Sequence, residues 1–346
     1  MYSIREFLWT KETYPIKDMG DFLPNIVGYL HDDDLVRPTM LVVPGGGYFV
    51  VSTTEAQIVA DKFFAAGYQT FVLTYTVNCG DMRNFLNLPL EPLKNQPLMD
   101  ISRAVSCIRA HAGEWRVDTN HVAACGFSAG SHLVGSLAVH HHEDFLQNDP
   151  FGHSNRPDAV ILSYPVITAD SRYWHEGSIK SLAGFDAQTP ADFQFYSLEK
   201  HVSANTPPAF LWHTITDDAV PVENSLMFMQ ACRAADVPCE LHLFPEGPHG
   251  LSTADMRWQN ADFGEDSNLC MEPFYSLLKA TAPANPDKVP PIAAPLLAND
   301  LSYFVSNWDR IYDEYRQMSF PFTRQKDDAV AEWPNLAMRF LKRFGF

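Results

Sequence analysis

The chain is 346 residues with a formal net charge of −17, 46% hydrophobic and 19% charged residues, which is an ordinary globular composition long enough to bury a large core. The acidic balance excludes nucleic acid and anionic membrane surfaces as expected partners and favours a neutral substrate, because phosphate binding needs a positive footprint. The longest apolar run, 40–51, is broken by Pro44 and three glycines and is too short to span a bilayer.

The first element in chain order is the run TMLVV at 39–43, expected as a strand buried on both faces. It ends at Pro44-Gly45-Gly46-Gly47-Tyr48, and apolar residues at helical spacing then predict a helix over 55–66, stopped by Gly67. A strand follows at 70–76, a helix at 100–111, a strand at 121–125 and a small-residue helix running to about His140. Further strands are expected at 159–163, 209–213 and 239–244, with a helix at 224–235 and an amphipathic closing helix at 329–343. Strands alternating with helices imply a doubly wound, mostly parallel sheet with helices on both faces.

Two stretches break the alternation. Residues 168–208 are rich in Tyr, Trp, Phe and His. Residues 252–328 carry many prolines together with aromatics such as Trp258, Phe263, Tyr275, Trp308 and Tyr312, which is more apolar ring area than a flexible linker holds. The expected organisation is therefore a core made of 1–251 and 329–346, with 252–328 inserted as a cap or interface element. Without the insertion the core has the size common for one α/β domain, about 250 residues.

Gly126-Phe127-Ser128-Ala129-Gly130 follows the strand at 121–125 and opens a helix. A sharp strand-to-helix turn of this kind forces the serine into strained backbone angles and leaves no room for a side chain two residues to either side. It also sets the hydroxyl at a helix N-terminus, where backbone N–H groups stabilise a developing anion. Ser128 is thus the candidate nucleophile. The triple glycine at 45–47 lets N–H groups approach a substrate oxygen unobstructed, and it lacks the Gly-Lys-Ser/Thr continuation of a phosphate loop. The N–H groups of Gly46, Gly47 and Ala129 are the candidate oxyanion hole.

The acid and base should follow the serine in the order Asp or Glu, then His. Asp217, in the loop leaving the strand at 209–213, is the expected acid, with Asp218 as a turn or cap residue beside it. His249, in Pro245-Glu246-Gly247-Pro248-His249-Gly250 after the last strand, is the expected general base. His140-His141-His142 superficially suggests a metal cluster, but consecutive helical residues point to different sides, and a solvated helix terminus is expected instead. His213 is expected to be a satisfied core histidine. The six cysteines (Cys79, Cys107, Cys125, Cys232, Cys239, Cys270) have no CxxC or zinc spacing and suggest a reduced protein. With no basic, apolar leader at the N-terminus, a cytoplasmic location is expected.

The stretches PGGGYFVVSTTEA (44–56), FAAGYQTFVLTYTV (64–77), DISRAVSCIRAHAGEWRVDTNHVAACGFSAGSHL (100–133), TPPAFLWHTITDDAVPVENS (206–225) and FPEGPHGLS (244–252) together resemble the α/β-hydrolase superfamily. The resemblance is to its esterase/lipase group and within that to acetyl esterase and acetylxylan esterase-like members. It implies the α/β-hydrolase fold, Ser128, Asp217 and His249 as a triad, and no metal or organic cofactor. Pro44 occupies the position where lipase-like relatives carry His, as in the acetyl-esterase-like subset, and Ser131 stands where a third glycine often follows the elbow. The insertion after His249 is the main departure. By the same resemblance the substrate is a small neutral ester with a short, acetyl-like acyl group, extending to acetylated sugars, with Tyr48, His175 and Ser178 lining its pocket. An arylformamidase or a small peptidase would use the same triad, and a non-catalytic binding protein could share the fold. Homo-oligomerisation is left open.

Overall fold

Eight strands form one sheet: β1 (Tyr2–Phe7), β2 (Asn25–Leu30), β3 (Arg37–Val43), β4 (Gln69–Thr74), β5 (Val117–Phe127), β6 (Ala159–Ser163), β7 (Ala209–Thr214) and β8 (Cys239–Phe244). The computed structural model describes residues 1–80, 83–84, 87–284, 303, 307 and 323–346. The strand order is β1-β2-β4-β3-β5-β6-β7-β8. The pairs β1–β2 and β2–β4 are antiparallel, and every pair from β4–β3 through β7–β8 is parallel. This is the α/β-hydrolase sheet. The central strands β6 and β7 are buried along their whole length, which is why they read as unbroken apolar runs, whereas the edge strands β1 and β8 are only partly covered.

Helices α1 (Gln57–Ala65), α2 (Gln96–Ala110), α3 (Ala129–His140), α4 (Glu176–Ala183), α5 (Glu223–Ala234), α6 (Glu272–Thr281) and α7 (Trp333–Lys342) flank the sheet. The expected helices at 55–66, 100–111, 224–235 and 329–343 correspond to α1, α2, α5 and α7 with ends moved by a few residues. The start of α2 moves four residues before Asp100, on a proline in its first turn. Asp100 therefore lies inside the helix and is fully buried. It accepts hydrogen bonds from Trp9 Nε1 (2.8 Å), Gln96 Nε2 (2.8 Å) and the Thr76 amide (2.9 Å), and burial pushes its carboxyl up to about 6.

Two differences from the sequence expectation have clear causes. No element was expected before Thr39, yet β1 and β2 extend the sheet there. β2 contains Gly28, where a Cβ would come within 2.7 Å of the Phe71 ring, so a residue typed as a strand-breaker is required by close strand-to-ring packing. The second difference concerns 252–328. Within its described part, Trp258, Phe263, Met271, Tyr275, Leu277 and Leu278 join the main core, and Glu272 pairs with Arg5 of β1. Residues 252–284 thus pack onto the core, with Glu272 reaching the N-terminal edge of the sheet. The rest of the expected insertion, apart from Tyr303, Asn307 and residues 323–328, lies outside the described residues, including Phe304, Trp308, Tyr312, Tyr315, Phe320 and Phe322.

Candidate active site

Open α/β sheets place their reactive groups beyond the carboxyl ends of the strands. Here five such ends converge: residues 44–48 after β3, Ser128 after β5, Tyr164 after β6, Asp217 after β7 and His249 after β8.

The serine turn is set by sterics. Ser128 has φ 51° and ψ −117°, a conformation that a residue with a Cβ adopts only under constraint. A Cβ on Gly126 would lie 2.5 Å from the Gly130 carbonyl, and one on Gly130 would lie 2.2 Å from the Val43 carbonyl. The second contact also presses the start of α3 against the glycine-rich loop. Ser131, the departure noted in the sequence, is buried; its hydroxyl donates to the Ser163 carbonyl (3.0 Å) and accepts the Ser163 N–H (2.9 Å), so it fastens the elbow to β6.

The Ser128 hydroxyl lies 2.8 Å from His249 Nε2, and His249 Nδ1 lies 2.7 Å from Asp217 Oδ2. With the Nδ1 proton directed at the carboxylate, Nε2 is free to accept the serine proton; the tautomer is assigned from these partners. Asp217 is almost fully enclosed, 1% exposed at its side chain. Burial alone would raise its carboxyl, but hydrogen bonds from His213 and His249 outweigh it and hold the group well below the usual carboxylate range. Its other oxygen accepts the N–H groups of Ala219 (2.9 Å) and Val220 (2.8 Å).

The neighbours divide the remaining work. Asp218 does not cap α5; its carboxylate accepts the His249 backbone N–H at 3.0 Å and so holds the histidine loop. His213 is buried, as expected, but it also faces the acid: its Nε2 lies 3.0 Å from the Val220 carbonyl and 3.3 Å from Asp217 Oδ2, while Nδ1 contacts Ser225 Oγ at 2.8 Å.

In the glycine-rich loop, Gly46 has φ 114°, and a Cβ there would sit 2.2 Å from the Val50 carbonyl. Among the described residues no hydrogen bond uses the N–H of Gly46, Gly47 or Ala129, so these three donors remain available. Gly45 approaches Ser128 so closely that a Cβ on it would be 3.0 Å from the serine Cβ.

The three residues expected to line the substrate pocket differ in fate. Tyr48 is 1% exposed and its hydroxyl donates to His132 Nδ1 at 2.9 Å, beneath the loop, so it supports the loop from the core side. Ser178 is also buried; its hydroxyl (2.8 Å) and its N–H (3.3 Å) both point at His175 Nδ1, capping α4. His175 alone reaches the site. Its Cε1 is 3.8 Å from the Cβ position of Gly47, and burial together with nearby His249 pushes it below its ordinary value. The partly exposed Phe49 ring, which the sequence did not single out, packs against Gly47, Gly80 and Gly177.

The histidine run at the end of α3 is not solvated throughout. His140 is buried and stacked on Phe195 (4.0 Å), with Nε2 donating to the Phe195 carbonyl at 3.0 Å. Residues 195–201 cover this helix end, a long-range contact invisible in the local sequence. Among the described residues no group of three or more His, Cys, Asp or Glu side chains is placed to hold a metal ion. All six cysteines are free, and no described helix is long and apolar enough to cross a membrane.

Comparison with known proteins agrees with this architecture. The BD-FAE family profile matches residues 29–232. The chain is 44% identical over 271 residues to an endo-1,4-beta-xylanase B of Butyrivibrio fibrisolvens, covering 77% of this chain and 41% of that protein. It is 31% identical over 213 residues to an acetylxylan esterase of Xylanibacter ruminicola, covering 60% of this chain and 40% of that protein. The chain thus spans about two fifths of the length of these curated relatives. A solved structure, an acetyl ester-xyloside bifunctional hydrolase of Caldicellulosiruptor lactoaceticus, superposes with a TM-score of 0.65 at 35% identity, covering 79% of this chain and 95% of that one. The chain belongs to the BD-FAE family.

Proposed function

We propose that this BD-FAE family member is a serine carboxylesterase that hydrolyses short-chain esters, acetyl esters of carbohydrates first among them. The observation that carries the reading is the continuous path Ser128 Oγ–His249 Nε2 (2.8 Å) and His249 Nδ1–Asp217 Oδ2 (2.7 Å), set beside three unused backbone donors. In this mechanism His249 takes the proton of Ser128 as its oxygen attacks the ester carbonyl. The N–H groups of Gly46, Gly47 and Ala129 stabilise the oxyanion, and the imidazolium, held by Asp217, protonates the departing alcohol. Water, activated by the same imidazole, then attacks the acyl-enzyme, and the proton returns to Ser128 as the acid leaves. No step requires a metal or an organic cofactor.

The sugar-ester refinement draws on two supports. Two relatives carry an ester activity in their names, the acetylxylan esterase and the acetyl ester-xyloside bifunctional hydrolase. An open cleft of about 470 Å³, lined by the Trp174 and Phe193 rings together with Asp170, Glu176 and Gln188, brings together the aromatic faces and polar groups that suit a sugar, on residues that flank His175 in the chain. His175 and Phe49 are assigned to the pocket near the acyl group; Tyr48 and Ser178 are assigned to its support.

The test compares wild type with S128A on p-nitrophenyl acetate and on acetylated xylo-oligosaccharides, with an acyl-formamide and a prolyl peptide as competing substrates. Turnover of the esters, abolished in the variant, is expected. An inactive wild type, or an S128A enzyme with full activity, would reject the esterase reading, and preference for the formamide or the peptide would redirect it. Indifference to acetyl sugars would remove the carbohydrate refinement alone.

A further inference from the structure

Among the described residues, Glu55 is the one buried carboxylate near the site to which the mechanism above gives no task. It is 4% exposed, and among the described residues no lysine or arginine pairs with it. A carboxylate enclosed without a cation is costly unless donors converge on it. Two do. The Gly45 N–H donates to Oε2 at 2.7 Å, and the Tyr164 hydroxyl donates to Oε1 at 2.6 Å. Burial raises the Glu55 carboxyl, and these bonds favour its charged form.

The two donors belong to different parts of the machinery. Gly45 opens the loop whose next two residues carry the oxyanion donors, and the loop is closed on itself by Val50 N–H to Gly46 O (3.1 Å) and Ser52 N–H to Gly45 O (3.0 Å). Fixing the Gly45 amide therefore fixes the orientation of the peptides that follow. Tyr164 stands on the base side. Its ring meets the His249 imidazole edge-on at 4.9 Å, and its oxygen accepts the Ser252 N–H at 3.1 Å, three residues past the histidine. The Ser252 hydroxyl returns to the Thr54 carbonyl at 2.6 Å, next to Glu55 itself. Tyr164 holds this place at φ 36°, a strained conformation for a bulky residue.

We propose that Glu55 is a positioning residue that locks the oxyanion loop and the His249 loop into one register, by accepting the Gly45 amide with one oxygen and the Tyr164 hydroxyl with the other. The proposal rests on the esterase reading above. An acid is required because both partners are donors. A glutamine in the same place offers one acceptor and one donor, so it can satisfy Gly45 or keep the Tyr164 proton, not both. An aspartate is one methylene too short to span the two.

The test uses E55Q and Y164F in the full chain. Y164F keeps the ring against His249 and removes the hydroxyl with its bonds to Glu55 and to the Ser252 N–H, so it serves if E55Q fails to fold. With p-nitrophenyl acetate, kcat is expected to fall at least about ten-fold in each, with KM within about three-fold, because misaligned donors weaken transition-state more than ground-state contacts. The double variant should be no worse than the poorer single variant, since both cut the same link. Hydrogen exchange should quicken in residues 44–52 and in 247–254 together. If kcat stays at the wild-type value, or exchange in the two loops is unchanged or quickens in only one, the positioning role is overturned. Because exchange is read without substrate, it separates that failure from failure of the esterase reading, which an inactive wild type would signal.

Discussion

The loop after β3 and the loop after β5 look alike in the sequence and are held in different ways. Both leave the buried C-terminal part of a strand, both are rich in glycine and both place residues at positive φ. The loop at 126–130 is enforced locally, by backbone atoms that leave no room for a Cβ on Gly126 or Gly130. The loop at 44–48 is held largely from a distance: Glu55 takes the Gly45 amide, the Tyr75 hydroxyl donates to the Pro44 carbonyl (2.8 Å) and His132 takes the Tyr48 hydroxyl (2.9 Å). A turn of the first kind announces itself in a five-residue motif. A turn of the second kind shows its glycines and hides what aims them.

The largest expected effects lie where the two loops meet. S128A should lower kcat by at least about 10³-fold and D217N by about 10⁴-fold, whereas D218A, which loses only an anchor for the His249 backbone, should cost a few-fold. Steady-state assays with circular dichroism as a folding control check the ranking, and equal losses at Asp217 and Asp218 would undo the division of labour between them.

The contrast between enforced and supported turns is sharpened by stability. G130A drives a Cβ to 2.2 Å from the Val43 carbonyl and should cost about 3 kcal/mol. G47A, at φ 66° and with its tight contact at 2.9 Å made to the Phe49 ring, should cost about 1–2 kcal/mol. Urea unfolding measures both, and a G130A protein as stable as G47A would break the steric account of the elbow.

The distant support of the first loop carries a pH signature. His132 is fully enclosed, and burial pushes its imidazole down to about 4. The unfolded chain binds this proton near pH 6.5, so unfolding takes up a proton between about pH 6.5 and 4. Stability from the neutral, buried ring is therefore complete above about pH 6.5 and declines as pH falls, by about 3 kcal/mol at pH 4. Comparing the pH dependence of urea midpoints in wild type and H132Q isolates this contribution, and identical slopes would refute it. The smallest effect is expected for Y48F, which strips one buried hydrogen bond for about 1–2 kcal/mol while KM changes less than about two-fold. A large rise in KM would return Tyr48 to the substrate pocket.

Much of the fold was legible because strands covered on both faces leave continuous apolar runs, as in β3, β6 and β7. The N-terminal strands were not legible: β1 is a partly exposed edge with charged residues, and β2 carries Gly28 for the sake of Phe71. Likewise 252–284 showed its aromatic content but not its place, since its apolar side chains join the main core only through long-range packing. At the site, Ser128, Asp217 and His249 stood out by motif and order. Glu55 fell at the start of the helix expected over 55–66, Tyr164 just past the strand expected at 159–163, and His213 read as core, because their significance lies in partners 109, 109 and 4 residues away and in none of their immediate neighbours.

By itself, then, the sequence determined the strand–helix alternation, the elbow and the chain order of the candidate residues Ser128, Asp217 and His249, since each follows from local sterics or from burial of a short segment. The tertiary structure decided which glycine amides stay unused, that Tyr48 and Ser178 support the pocket from within, and that Glu55 and Tyr164 join the two loops. Those assignments depend on hydrogen bonds between strand ends that the chain brings together only when the whole sheet has formed.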